Sequence, residues 1–194
     1  MNIYDFDNTI YDGDSCKDIV FYGLKKYPFL TLKALKKANK LNKEYKRGDI
    51  PFERVKEAML SFIFQLDDTD AFIKSFVDKN IVKIKPWYLS KQSESDVIVS
   101  ASYDLWLNEF AERLGIHYVI ATRTDSEGNI VGKNCKRKEK VKRIKEAFPN
   151  AKINSAYSDS KADLPMLELA TLAFVVEGNK IITYRKGYQF KNKM

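Results

Sequence analysis

Ile3-Tyr4-Asp5-Phe6-Asp7-Asn8-Thr9-Ile10 sets two carboxylates two positions apart at the end of a short apolar run. On an extended segment residues i and i+2 point the same way. The spacing therefore predicts Asp5 and Asp7 facing one pocket, with Tyr4 and Phe6 packed on the other side. Two like charges held that close in a half-dry pocket repel, so each needs a proton or a cation. A hard divalent ion with a preference for oxygen ligands answers that need. An acidic strand end with no chemical role is the competing reading, and a bare DxD does not decide between the two.

Two later segments add to it. In Asp96-Val97-Ile98-Val99-Ser100-Ala101-Ser102 a β-branched strand ends in hydroxyls, and Tyr103, Leu105, Trp106, Phe110 and Leu114 follow at near-helical spacing up to a stop at Gly115. In Ala156-Tyr157-Ser158-Asp159-Ser160-Lys161-Ala162-Asp163-Leu164-Pro165-Met166-Leu167 a strand-like run from Lys152 to Tyr157 gives way to two carboxylates four apart and then an apolar helical stretch. Three strands thus end in polar groups able to do chemistry. Between Tyr11 and Ser93 there is hardly a strand signal. Helical blocks are expected over Ser15 to Tyr27 closed by Pro28, Thr31 as N-cap to Arg47 closed by Gly48, Pro51 to Leu66, and Asp70 to Lys79. Roughly 80 residues cannot be one structureless loop in a compact domain, so they read as a helical cap inserted after the first strand. From Asp96 onward strands and helices alternate, with later strands at His117 to Ala121, Lys152 to Tyr157 and Leu172 to Val176. A hairpin turn is expected at Glu127-Gly128-Asn129 within Thr124 to Lys133. The expected fold class is α/β: a Rossmann-like, doubly wound, mostly parallel sheet with an inserted α-helical cap. The core would take residues 1–14 and 94–194 and the cap 15–93.

DFDNT, VSAS, a lysine opening an amphipathic helix, and SDSKADLPML, in that order, resemble the four motifs of the haloacid dehalogenase superfamily of phosphotransferring hydrolases. The long insertion between the first two is similar to that of its phosphoserine-phosphatase-like branch. The resemblance runs from Asp5 to about Val176. Two positions depart from the pattern: Ser158 stands where glycine usually precedes the aspartate, and Arg137 stands where glycine is common before the lysine.

The resemblance implies a Mg²⁺-dependent phosphomonoesterase. Asp5 would attack phosphorus to give an aspartyl-phosphate. Mg²⁺ would be held by Asp5, Asp159 and the main-chain carbonyl of Asp7. Asp7 would protonate the leaving alkoxide and then deprotonate the hydrolytic water. Relatives that cleave carbon–halogen bonds have no alkoxide to protonate, so Asp7 argues for a phosphatase. Ser100 and the main-chain N–H of Ala101, as it enters a helix, would bind the phosphoryl group. Lys136, Lys138 and Lys140 compete for the charge-neutralising lysine. Lys140 is preferred because it precedes Val141 on the helix whose apolar face is Val141, Ile144 and Phe148; Lys136 is second. Asp163 would hold Lys140 or a metal-bound water, and Thr9 would brace the loop.

The chain has 194 residues and a net charge of +8. Its two cysteines, Cys16 and Cys135, lie far apart with no CxxC pair, which argues against zinc and a disulfide framework. No apolar run approaches the roughly 20 residues that span a bilayer, and the first residues lead straight into a strand, so a cytoplasmic protein is expected. Lys33, Lys36, Lys37, Lys40, Lys43, Lys46 and Arg47 crowd one cap helix against Glu44 alone. Such a face is either a solvated helix surface or an attractor of anions. Its expected partners are a phosphorylated small molecule or phospholipid substrate, with peripheral contact to an anionic membrane and no specific nucleic-acid partner. Arg54 and Arg123 are candidates for a substrate's anionic tail. Phe52, Phe62, Phe64, Phe72 and Phe76 read as cap core, and His117 as structural. A non-catalytic or weakly active protein on the same scaffold, binding anionic lipid or nucleic acid through its basic cap, is the second function class.

Overall fold

Strands β1 (Asn2–Tyr4), β2 (Val97–Tyr103), β3 (Tyr118–Thr122), β4 (Ser155–Ser158), β5 (Leu172–Glu177) and β6 (Lys180–Thr183) form one sheet in the order β3-β2-β1-β4-β5-β6. This is a computed structural model, and it describes residues 1–190. β1 to β5 run parallel and β6 closes the edge antiparallel to β5. In this doubly wound order the winding reverses at β1, and the crevice beyond the carboxyl ends of the strands there is where ligands bind. The expected α/β fold class is the observed one.

β1 alternates between two cores, as a strand covered on both faces must. Ile3 packs with Val97, Val99, Ile120 and Ala156 against Ile144 of helix α7 (Lys138–Ala147) and Met166 and Leu167 of α8 (Leu164–Leu167). Tyr4 points the other way and stacks on Tyr157, with ring centroids 4.6 Å apart. On that face lies α6 (Asp104–Leu114), together with helices from between β1 and β2: α1 (Ser15–Lys26), α2 (Pro28–Arg47), α3 (Phe52–Leu60), α4 (Thr69–Asn80) and α5 (Pro86–Leu89). Phe76 of α4 meets Phe110 of α6 edge to face at 6.1 Å, so these helices share a core with the sheet. Phe62, Phe72 and Phe76 are buried in it, Phe64 is partly buried against it, and Phe52 lies outside it, 42% exposed.

Several boundaries differ from the sequence reading, each for a local reason. β1 ends at Tyr4, before the two carboxylates. α2 starts at Pro28, whose fixed φ suits the first helical turn. Thr31 is inside the helix, its hydroxyl donating to Tyr27 O at 2.9 Å. α3 stops at Leu60, and a 3₁₀ turn at Ile63–Gln65 follows, seating Phe62 against Gly23 of α1. A Cβ on Gly23 would lie 2.4 Å from that ring, so only glycine permits the approach. Thr124 to Lys133 holds a single antiparallel bridge, Thr124 to Ile130, closed by Asp125 accepting from the Glu127 and Asn129 amides. β6 was absent from the sequence reading, although Gly178-Asn179 between two β-like runs is a hairpin signal.

Candidate active site

The chain leaves β1 with the Asp5 amide still donating to Tyr157 O at 2.9 Å, then folds back on itself. Phe6 O accepts from the amides of Thr9, Ile10 and Tyr11. Asn8 takes a left-handed conformation (φ 57°), which asparagine tolerates better than most residues. The buried Lys85 ammonium clamps this loop to the β5–β6 turn, donating to Asn8 O at 2.6 Å and Gly178 O at 2.7 Å. The fold-back returns Thr9 over the end of β1. Its hydroxyl lies 3.2 Å from Asp5 Oδ2 and 3.3 Å from Asp159 Oδ1, and accepts from the Asp159 amide at 3.0 Å. One side chain therefore ties the carboxyl end of β1 to that of β4.

Lys140, 2% exposed, projects from the first turn of α7 and bonds both Asp5 Oδ1 and Asp163 Oδ2 at 2.7 Å. Burial raises the pKa of Asp5 against the pull of Lys140. Burial also opposes the charge on Lys140, but Asp5 and Asp163 outweigh it and raise that pKa. Lys136 and Lys138 are exposed, so of the three competing lysines it is Lys140 that reaches Asp5. Ser158, the departure from glycine, donates to Asp163 Oδ2 at 2.9 Å and accepts from the Ser160 amide at 3.1 Å, two bonds glycine cannot make.

Asp7 enters a separate network. Its Oδ1 accepts from the Ser15 amide at the start of α1 (2.6 Å), and its Oδ2 from the Ser102 hydroxyl (2.5 Å). Trp106 Nε1 can only donate, and does so to Ser15 Oγ at 3.1 Å. Ser15 Oγ lies 3.1 Å from Ser102 Oγ, whose own hydrogen is donated to Asp7, so Ser102 accepts from Ser15. The chain therefore runs one way, from Trp106 through Ser15 and Ser102 to Asp7. Burial pushes Asp7 up to about 6, against the hydrogen bonds from Ser102 and Ser15. At that value both protonation states lie within reach near neutrality, as a general acid–base group requires.

The end of β2 corrects one expectation. The strand continues to Tyr103 and α6 begins at Asp104, so Ala101 N–H is not at a helix N-terminus. Instead the β2–β3 register slips between Val99 and Tyr103, bulging out Ser100, Ala101 and Ser102. Ser100 is buried, with its hydroxyl accepting from the Ser102 amide at 3.0 Å. Ala101 O accepts from Thr122 at 2.7 Å and from Lys56 at 2.5 Å. Lys56 is a buried residue of α3 that the sequence reading missed; its ammonium sits 4.6 Å from the Tyr103 ring centroid, and burial lowers its pKa. Arg54, two positions earlier, faces solvent in an ion pair with Glu57. Arg123 and His117 are also exposed.

Arg137, just before α7, has φ 55° and ψ −125°, a conformation suited to glycine. Relief of this strain exceeds the added chain entropy of glycine, so Arg137→Gly is expected to stabilise the fold by about 1 kcal/mol. Urea denaturation measures this, and a lower midpoint would refute the strain.

The donors around Asp5 and Asp159 are hard oxygens, the set that suits magnesium. Among the described residues no three His, Cys, Asp or Glu side chains group as metal ligands. The Asp7 carboxylate is committed to Ser15 and Ser102, whereas the Asp5 and Asp159 carboxylates meet across the Thr9 hydroxyl.

The sequence model of the haloacid dehalogenase-like hydrolases matches residues 3–168. Protein CicA of Caulobacter vibrioides, in two strains, is 36% identical over 108 residues, 52% of this chain and 48% of the relative. The match thus spans about half the length of the curated relatives. A Bordetella pertussis protein described as of unknown function superposes with a TM-score of 0.73 at 20% identity, covering 89% of this chain and 87% of that one. A phosphoserine phosphohydrolase-like protein from Francisella tularensis gives 0.53 at 22% identity over 89% and 86%. A phosphoserine phosphatase described as a phospho-aspartyl intermediate analogue gives 0.53 at 22% over 88% and 83%. These likenesses share the fold.

Proposed function

The chain belongs to the haloacid dehalogenase-like hydrolase family, and from that premise we propose that it is a Mg²⁺-dependent phosphomonoesterase working through phosphorylated Asp5. The observation that carries this reading is the buried Lys140 ammonium fixed 2.7 Å from both Asp5 and Asp163. It orients the nucleophile and places positive charge where negative charge gathers on the transferring phosphoryl group. The phosphoserine phosphatase described as a phospho-aspartyl intermediate analogue supports the same chemistry.

In the first half-reaction an Asp5 oxygen attacks phosphorus, and the bond to the ester oxygen breaks as Asp7 delivers its proton to the alkoxide. In the second, Asp7 takes a proton from water as the water oxygen attacks phosphorus, releasing phosphate and restoring the Asp5 carboxylate. Mg²⁺ bound by Asp5, Asp159 and the Asp7 carbonyl would neutralise phosphoryl charge. Thr9 keeps Asp5 and Asp159 together, and the Trp106–Ser15–Ser102 chain fixes the Asp7 carboxyl group in one orientation. Lys56 pins the β2 bulge carrying Ser100 and Ala101, whose groups would receive the phosphoryl oxygens. Residues 15–93 would act as the cap over a core of 1–14 and 94–194.

Hydrolysis of p-nitrophenyl phosphate with and without Mg²⁺ tests the reading; turnover that Mg²⁺ does not raise would count against it. Asp7→Asn separates the roles of the two acids. On an alkyl phosphate, whose leaving group needs a proton, it is expected to lose about 10²- to 10⁴-fold in turnover. On p-nitrophenyl phosphate the loss in the phosphorylation step should be at least tenfold smaller. Equal losses in that step on both esters would contradict the acid role.

A further inference from the structure

The helices between β1 and β2 carry a surface that the catalytic reading does not use. At the corner between α1 and α2, Phe29 is 90% exposed, Phe21 61%, Leu32 51% and Tyr27 41%. Residues 19–43 around it contain seven lysines and no acid. None of those seven is ion-paired among the described residues.

The helix period sorts α2 into two faces. Thr31, Ala34 and Ala38 are buried, and Ala38 packs with Val55 and Ala58 of α3. Small residues there let the two helices lie close, and Leu30, Leu35 and Leu41 pack partly buried beside them. At about 100° per residue, Phe29, Leu32, Lys33, Lys36, Lys40 and Lys43 fall together on the opposite side. Phe29 and Leu32 stand at its first turn and the lysines continue behind them for some 15 Å at about 1.5 Å per residue.

We propose that this α1–α2 corner docks the protein on an anionic phospholipid bilayer, with Phe29 and Leu32 entering the interface and the lysine stripe lying on the headgroups. Charge complementarity selects the partner, because a stripe of one sign whose one counter-charge on the helix is Glu44 at its far end gains most against a surface of the other sign. The apolar tip favours a bilayer over a nucleic acid. Exposed side chains of this size gain by leaving water for the acyl boundary and gain little on a phosphate backbone. Among the described residues no helix is long and apolar enough to cross a membrane, so the contact would be a surface one. The proposal does not depend on the catalytic reading.

Co-sedimentation with phosphatidylcholine vesicles containing about 30% phosphatidylglycerol tests it, with pure phosphatidylcholine vesicles as the reference. The full chain is expected to bind the anionic vesicles, to release on raising salt, and to leave the neutral ones alone. Phe29→Ser with Leu32→Ser keeps the charge and should weaken binding at least about tenfold. Lys33→Glu with Lys36→Glu and Lys40→Glu should weaken it at least about a hundredfold. Both variants should keep the helical circular dichroism and the p-nitrophenyl phosphate turnover of the parent. In Phe29→Trp the emission should shift to the blue on adding anionic vesicles. Failure to bind anionic vesicles would overturn the proposal, as would the serine pair binding like the parent. Duplex oligonucleotide binding in place of vesicle binding, or a dimer that Phe29→Ser disperses, would assign the surface to another occupant and equally overturn it.

Discussion

Asp5→Asn is expected to lower the proposed phosphatase turnover by at least about four orders of magnitude, the scale of losing a group on which both half-reactions depend. The variant should nevertheless fold. An asparagine carbonyl at position 5 can still accept from Lys140, and Asp163, 2.7 Å from the same ammonium, keeps that charge paired. Burial already disfavours the ionised form of Asp5, so removing its charge costs the fold little. The unfolding midpoint in urea should stay at or above that of the parent. Turnover within tenfold of the parent would remove Asp5 as nucleophile. A collapse of stability with no folded protein would show instead that the Asp5–Lys140 bond is structural before it is catalytic.

Lys140→Met carries the second large effect, on both activity and stability. The substitution keeps the unbranched shape of the side chain to its fourth atom but removes the ammonium, leaving Asp5 and Asp163 without their shared cation in a buried site. Breaking a buried pair by deleting one partner typically costs about 3–5 kcal/mol, because the remaining charge is left uncompensated. Here the deficit should depend on pH with a defined sign. Burial raises Asp5 while Lys140 lowers it, so loss of Lys140 lifts Asp5 further above its unfolded value. An acid whose folded pKa is raised costs the fold most above that pKa and nothing below the unfolded one. The gap between variant and parent should therefore narrow as the pH falls from about 7 towards 4, the ordinary carboxylate range. Equilibrium unfolding at several pH values measures this; a gap that stays constant or widens on acidification would contradict the arrangement.

The sequence carried the large-scale fold and the placement of much of the candidate site, for physical reasons that can be traced residue by residue. Alternating apolar strands and amphipathic helices survive any error of two residues at their ends. Thus β1 to β5 were found even though β1 closes at Tyr4 and β4 opens only at Ser155. Asp5, Asp159, Asp163 and Lys140 were visible because each sits at a strand end or a helix start, where local pattern and chemistry coincide. The residues that were missed act through tertiary contacts. Ser15, Ser102 and Trp106 line up on Asp7 only when α1, β2 and α6 meet, and each alone reads as an ordinary helix or strand residue. Lys56 was hidden by its neighbours: in a helix that also offers Arg54, only packing tells which cation turns inward. The Ala101 amide was misplaced because a β-bulge, not a helix start, shapes the end of β2. The strain at Arg137 had a visible signal, a bulky residue at a position where the resemblance called for glycine.

The central claim, a phosphoryl bond to Asp5, is most directly tested by rapid quenching during turnover in Mg²⁺, reduction with borohydride and peptide mapping. A phosphorylated aspartate is reduced to homoserine, whereas a free carboxylate is not. The account predicts homoserine at position 5 in the quenched parent and none without substrate. Homoserine at position 7 or 159, or unmodified Asp5 in an enzyme turning over at saturating substrate with hydrolysis of the intermediate rate-limiting, would contradict it.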